Sequence, residues 1–266
     1  MTRFRTLEFD ENEPPQKSAQ EQARETVARE VHDEAYHVRE AEREYQNARF
    51  EQALRLYSRA LEANPNLDTA WVGQVRMLIE MGELKEATVW ADRALELFKE
   101  HAELLSAKGV VAARLGDRKK ALQFSDSAAA AKGAGTAYVW LARGEVLLAT
   151  RRDNGAFCLE KAKGAGGRAD WFTVLLAARI FYFHRHYARG MQNAREAMEL
   201  QPTAPFAWVV LGNCQEALGL VKRARESYRE ALLLDRDFAP ARAALHGVES
   251  LGLIKRMDAV LRRVFH

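Results

Sequence analysis

The sequence predicts an all-α array of stacked helical hairpins, and three observations carry that reading. Small residues recur at a nearly constant period: Ala53, Ala87, Ala121, Ala156, Gly190 and Ala224 are separated by 34, 34, 35, 34 and 34 residues. A second series, Ala60, Ala94, Ala128, Ala162, Ala197 and Ala231, follows the first by seven residues, except in the fourth unit, where the offset is six. Seven residues are two helical turns, so each pair shares one helix face. The segments between have helical periodicity, as in Ala87, Trp90, Ala91, Ala94, Leu95 and Phe98, and no strand-like alternation competes with it.

In chain order, residues 1–17 contain FDENEPP, lack periodicity and are expected to form a flexible tail. Phe4, Leu7 and Phe9 stand there among acidic residues, a pattern suited to a groove of the same chain or of a second copy, and so to homo-oligomer formation. Residues 18–33 mix charged and apolar positions without a breaker and read as an N-terminal helical extension. Residues 34–237 hold six repeats. Gly82, Gly116 and Gly219 each precede the first small anchor by five residues, where the chain leaves one helix and needs a left-handed residue. Trp71, Trp140 and Trp208 lie in first helices, with Gly109, Gly144 and Gly212 four residues after the tryptophan or its equivalent. Pro65 and Pro202 close second helices. Two antiparallel helices crossing at alanine and glycine explain why size is restricted at these places. The fourth unit, TRRDNGAFCLEKAKGAGG, reads as adding a residue before its second helix and losing one within it, so a local distortion is expected there. Residues 238–266 read as a further degenerate hairpin of capping helices. Its last segment, LGLIKRMDAVLRRVFH, puts Leu253, Ile254, Met257, Val260, Leu261 and Val264 on one stripe and, at roughly 24 Å, is too short to cross a membrane.

The sixth unit, PFAWVVLGNCQEALGLVKRARESYREALLLD from Pro205, resembles the tetratricopeptide repeat family at Trp208, Leu211, Gly212, Gly219, Ala224, Tyr228 and Ala231. The first unit is similar at Phe50, Ala53, Tyr57, Ala60 and Pro65, and the resemblance extends over 34–237. It implies a right-handed superhelical solenoid of about six hairpins with capping helices, whose first helices line a concave groove for a peptide or helix of a partner protein. In that register the groove is expected to present Val72, Arg76, Arg114, Tyr138, Phe172, Leu175, Arg179, Tyr182, Phe206, Val209 and Asn213. Hydrophobic anchors interleaved with arginine suit a ligand with apolar side chains and one or two carboxylates. A subclass of the family clamps the C-terminal carboxylate of heat-shock chaperones with Lys, Asn and Arg; the matching positions here are Val38, Glu42, Gly73, Glu103 and Ala107, so that clamp is absent.

The remaining residues argue against other classes of function. Lys and Arg number 40 against 37 Asp and Glu, which leaves no basic footprint for nucleic acid. Charge is nevertheless uneven, with 8 basic and 12 acidic residues in 1–50 and 10 basic and 6 acidic in 217–266, so array ends could meet head to tail. Cys158 and Cys214 lack ligand or redox spacing and read as small apolar core residues of a reducing compartment. None of the seven histidines forms an HExxH or i, i+4 pair, and KGAG at Lys132 and KGAGG at Lys163 follow helices without a Gly-Lys-Ser/Thr. No catalytic residue, metal site or cofactor is expected. No apolar run has the length of a signal peptide or a membrane span, so a cytoplasmic protein is expected. The reading is a non-catalytic adaptor or scaffold binding through its concave face. The alternative is a structural subunit of a larger or homo-oligomeric assembly using its ends and convex face.

Overall fold

The computed structural model describes residues 33–152, 154–165 and 170–250. Among the described residues twelve helices form six antiparallel hairpins: α1 (Glu34–Gln46) with α2 (Phe50–Ala63), α3 (Asp68–Met81) with α4 (Leu84–Leu97), and α5 (Ala102–Arg114) with α6 (Arg118–Ala130). Then come α7 (Ala137–Ala149) with α8 (Gly155–Gly164), α9 (Trp171–Phe183) with α10 (Tyr187–Leu200), and α11 (Pro205–Ala217) with α12 (Val221–Leu234). A further helical segment covers 239–250, and the described residues contain no strand. The expected tail, the N-terminal extension and the segment LGLIKRMDAVLRRVFH lie outside the described residues.

Division of labour between the two helices of each hairpin follows from composition. From the second hairpin on, first helices are buried on most sides: α9, WFTVLLAARIFYF, buries Phe172, Val174, Leu175, Leu176, Ala177, Ala178 and Phe181. Second helices bury one narrow stripe of mostly small residues and expose the rest; α4 buries only Ala87, Ala91 and Ala94. A first helix is thus sandwiched between its partner and its neighbours, while a second helix forms the outer layer. Each tryptophan near a first-helix start does more than fill space where a proline precedes it. The Trp71 indole donates to the Pro65 carbonyl at 2.8 Å, and Trp208 donates to the Pro202 carbonyl at 2.9 Å, tying one hairpin's end to the next hairpin's start.

Sequence reasoning saw only half of the turns inside the hairpins. Gly82, Gly116 and Gly219 are left-handed as expected, with φ of 82°, 86° and 76°. Ala48, Arg151 and Arg185 occupy the same step of the repeat and are left-handed too, at 56°, 58° and 63°. All six turns close with one pair of backbone bonds, as in Arg185 N to the Tyr182 carbonyl and His186 N to the Phe181 carbonyl. A side chain costs about 1 kcal/mol in that conformation, and Arg185 is exposed. Arg185→Gly is therefore expected to raise stability by about 1 kcal/mol, read as a higher denaturant midpoint at unchanged slope.

The fourth hairpin corrects the assignment of its anchor. Gly155, and not Ala156, is buried against α7, where an added Cβ would stand 3.0 Å from the Gly144 carbonyl oxygen and 2.8 Å from Leu148. Gly155 and Ala162 are seven residues apart, so the helix face keeps its usual spacing and no residue is lost within it. The irregularity lies in the connections: one residue fewer separates Arg151 from the anchor, and the hairpin is entered and left through six-residue connections, 131–136 and 165–170, where the other three between hairpins have four. The helix itself is the shortest of the twelve, at ten residues.

Candidate functional site

The inner face of the solenoid is built by first helices, and it is bridged by contacts between repeats far apart in sequence. Arg179 on α9 donates to Glu80 Oε2 at the end of α3 at 2.5 Å, and the Tyr45 hydroxyl on α1 donates to Glu80 Oε1 at 3.0 Å. Tyr45 meets Phe172 edge to face with centroids 4.8 Å apart, and Phe50 meets Phe206 at 6.2 Å. The Arg179 guanidinium lies 5.4 Å from the Phe50 ring centre and 5.1 Å from that of Phe206. Arg49 and Asp235 add an ion pair at 3.8 Å. The first hairpin thus touches the fifth and sixth, and the superhelix winds onto itself.

A second pair lies beside the first. Arg114 Nε donates to Glu145 Oε1 at 2.7 Å, one Nη donates to the Ile79 carbonyl at 3.0 Å, and the guanidinium stands 4.9 Å from the Phe183 ring centre. Burial alone would raise the Glu80 carboxyl. The Arg179 guanidinium and its hydrogen bond, with Arg114 and the Tyr45 hydroxyl, outweigh burial and hold it below the usual carboxylate range. Burial, reinforced by Glu80, pushes the Tyr45 hydroxyl far above its ordinary value, so it remains a donor. Burial also lowers His184, with Arg114 and His186 acting in the same sense against Glu145.

Around these pairs lies a cavity of about 500 Å³ whose lining includes Tyr45, Phe50, Arg76, Arg114, Glu145, Arg179 and Phe206. Of the residues expected on the groove, Arg76, Arg114, Tyr138, Arg179, Tyr182, Phe206, Val209 and Asn213 line it. Phe172 lines an adjoining cavity of about 330 Å³, and Val72 a third at the α5 start beside His101 and Thr136. Leu175 is fully buried, packs in the core and lines none of these cavities. Sequence reasoning left out Tyr45, Phe50 and Glu80. Tyr45 could have been found by extending the register to the first hairpin, where it matches Ile79 and Tyr182; Glu80 sits one place beyond that register, as does Arg114.

Elsewhere, chemistry is sparse. Cys158 and Cys214 are free and buried, and burial pushes the Cys214 thiol up to about 12, which keeps it protonated. Among the described residues no three His, Cys, Asp or Glu side chains converge as metal ligands, and no helix is long and apolar enough to cross a membrane.

Two family models, each described as a tetratricopeptide repeat, match residues 44–111 and 207–238. No curated protein matches the chain significantly. Among solved structures, the fold is similar to one in the APC/C hetero-tetramer Cut9–Hcn1, with TM-score 0.51 and 14% identity over 85% of this chain and 45% of that one. The chain therefore spans less than half the length of that relative. A tetratricopeptide repeat protein from Parabacteroides merdae ATCC 43184 is similar with TM-score 0.50 and 17% identity, over 86% of this chain and 89% of that one.

Proposed function

We propose, on the premise that this chain is a tetratricopeptide repeat protein, that it is a non-catalytic interaction scaffold that takes an apolar segment of a partner protein against its inner face. The observation that supports this most directly is the 500 Å³ cavity, where aromatic and aliphatic side chains from all six hairpins converge around paired charges. Apolar walls give burial, and fixed guanidinium and carboxylate groups give orientation. Because the inner face is bridged between Glu80 and Arg179, the ligand is a short anchor and not a long strand laid along an open channel.

A second reading has its own observation. On the outer side Phe157 is 60% exposed, and Lys161 lies between it and Trp140, 5.3 Å and 4.8 Å from the two ring centres, beside a cavity of about 440 Å³. An exposed phenylalanine beside a half-buried tryptophan suits a structural subunit that meets its neighbours through its convex face.

The two readings separate in a pull-down from native lysate with three proteins of equal helicity by circular dichroism: the intact chain, Val209→Trp and Phe157→Glu. Val209→Trp fills the inner cavity, and it is expected to recover at least tenfold less of a specific partner while Phe157→Glu recovers as much as the intact chain. The reverse pattern moves the function to the outer face.

A further inference from the structure

Within the inner cavity the charges do not balance. Arg114 is matched by Glu145 and Arg179 by Glu80, but Arg76 makes no ion pair and no hydrogen bond among the described residues. Its guanidinium is held between two aromatic faces, 4.3 Å from the Tyr138 ring centre and 5.1 Å from that of Tyr45, and its buried Nε has no acceptor. Both rings are neutral, since burial raises both hydroxyls well above their ordinary range. Arg76 lies where the 500 Å³ and 330 Å³ cavities meet, so it has open space beside it and no partner in it. A buried Nε without an acceptor is costly, and the Nη groups, which are not buried and make no hydrogen bond among the described residues, retain donors for an incoming anion.

The surrounding charges restrict what that anion is. Three arginines and two glutamates line the larger cavity, an excess of one positive charge. The smaller cavity carries Glu42, Glu103 and Asp170, none of them within ion-pair distance of Arg76. These carboxylates repel a dianion and disfavour approach from their side. The larger cavity is walled by Ile79, Leu141, Leu176, Phe206 and Val209, and its volume is that of a compact organic ligand.

We infer that Arg76 is an anion-receiving group and that the inner cavity binds a single carboxylate carried on a compact apolar body, forked by the guanidinium while the body lies against Leu141 and Phe206. The ligand shares the inner face with the partner-binding reading and rests on it only in using the same cavity. Two sources present this chemistry: a free carboxylic acid, and the acidic side chain of a partner's apolar segment.

The test is calorimetric titration of the full chain with 4-phenylbutyrate, with its neutral amide, and with a blocked Leu-Glu-Phe tripeptide, repeated on Arg76→Gln. The acid or the tripeptide is expected to bind at least tenfold more tightly than the amide, and Arg76→Gln is expected to remove that preference. Preference for the acid identifies a diffusible ligand; binding of the tripeptide alone identifies a partner's side chain. Equal binding of acid and amide, no binding of acid or tripeptide at millimolar concentration, or an undiminished preference in folded Arg76→Gln overturns the inference. Should Arg76→Gln fail to fold, the comparison of acid with amide on the intact chain decides. Full recovery of the partner by Val209→Trp overturns the partner-binding reading and leaves this result untouched, so the two ideas fail separately.

Discussion

Glu80→Gln is expected to destabilise the protein by about 3–5 kcal/mol. The glutamine keeps the shape but leaves Arg179 facing Phe50 and Phe206 without its counter-charge, in a place where its side chain is only 24% exposed and that of Glu80 13%. Removing one partner of such a pair is costly because the other charge stays behind. Its position adds a second consequence. In an open array each hairpin contacts only its neighbours, and such arrays can unfold piece by piece. The Glu80–Arg179 bridge joins residues 99 apart in sequence, and it couples the second hairpin to the fifth. The variant's thermal transition should therefore move down by roughly 10 °C and also broaden, as the ends uncouple. A narrow, unshifted transition would show that winding onto itself contributes nothing to stability.

The same pair sets the direction of acid sensitivity. The Glu80 carboxyl is held below its unfolded value, so the stability it supplies is fully present above the unfolded glutamate range, near pH 4.3, and is lost as pH falls through the lower folded value. Chemical denaturation at a series of acidic pH values should show a steeper loss in the intact chain than in Glu80→Gln.

How far the sequence was legible depended on whether a feature repeats. The period, the hairpins and the inner register of Arg76, Arg179 and Asn213 could be read because one backbone geometry imposes the same small residues every 34 positions. The left-handed turns at Ala48, Arg151 and Arg185 were hidden because glycine is preferred there but not required: six identical backbone closures can hold an alanine or arginine in that conformation. The Gly155 anchor was hidden by an alanine next to it, and only packing against Gly144 separates the two. Closure was illegible for a different reason. Whether Glu80 meets Arg179 depends on the small rotation accumulated over three repeats, which no local pattern records. That rotation also turns two of the three expected ligand-binding arginines into partners of the chain's own carboxylates, while Arg76 keeps its donors.

Gly212→Ala is expected to cost about 2 kcal/mol, while the same change at Gly109 gains about 1 kcal/mol, although both glycines occupy one step of the repeat. Alanine improves helix propensity equally at the two positions. What differs is the residue across the hairpin. At Gly109 that residue is Ser125, and a new Cβ finds its nearest neighbours at 3.4–3.5 Å, ordinary contact distance. At Gly212 it is Tyr228, fully buried, and a Cβ would overlap its ring. The ring cannot swing aside cheaply, because its hydroxyl stands 2.9 Å from both Asn213 Oδ1 and Glu216 Oε2 and donates to one of them. Overpacking of about 1–3 kcal/mol, with loss of that hydrogen bond at about 1 kcal/mol, outweighs the gain in propensity. Leu159 against Gly144 repeats the arrangement, with an added Cβ 2.5 Å from Leu159 Cδ2. The size of the facing side chain therefore decides the sign, and Gly212→Ala in a Tyr228→Ala background should become stabilising relative to Tyr228→Ala alone. Urea denaturation of the four proteins in that cycle measures the coupling directly. A Gly212→Ala penalty that persists without the ring would place the strain in the backbone crossing itself.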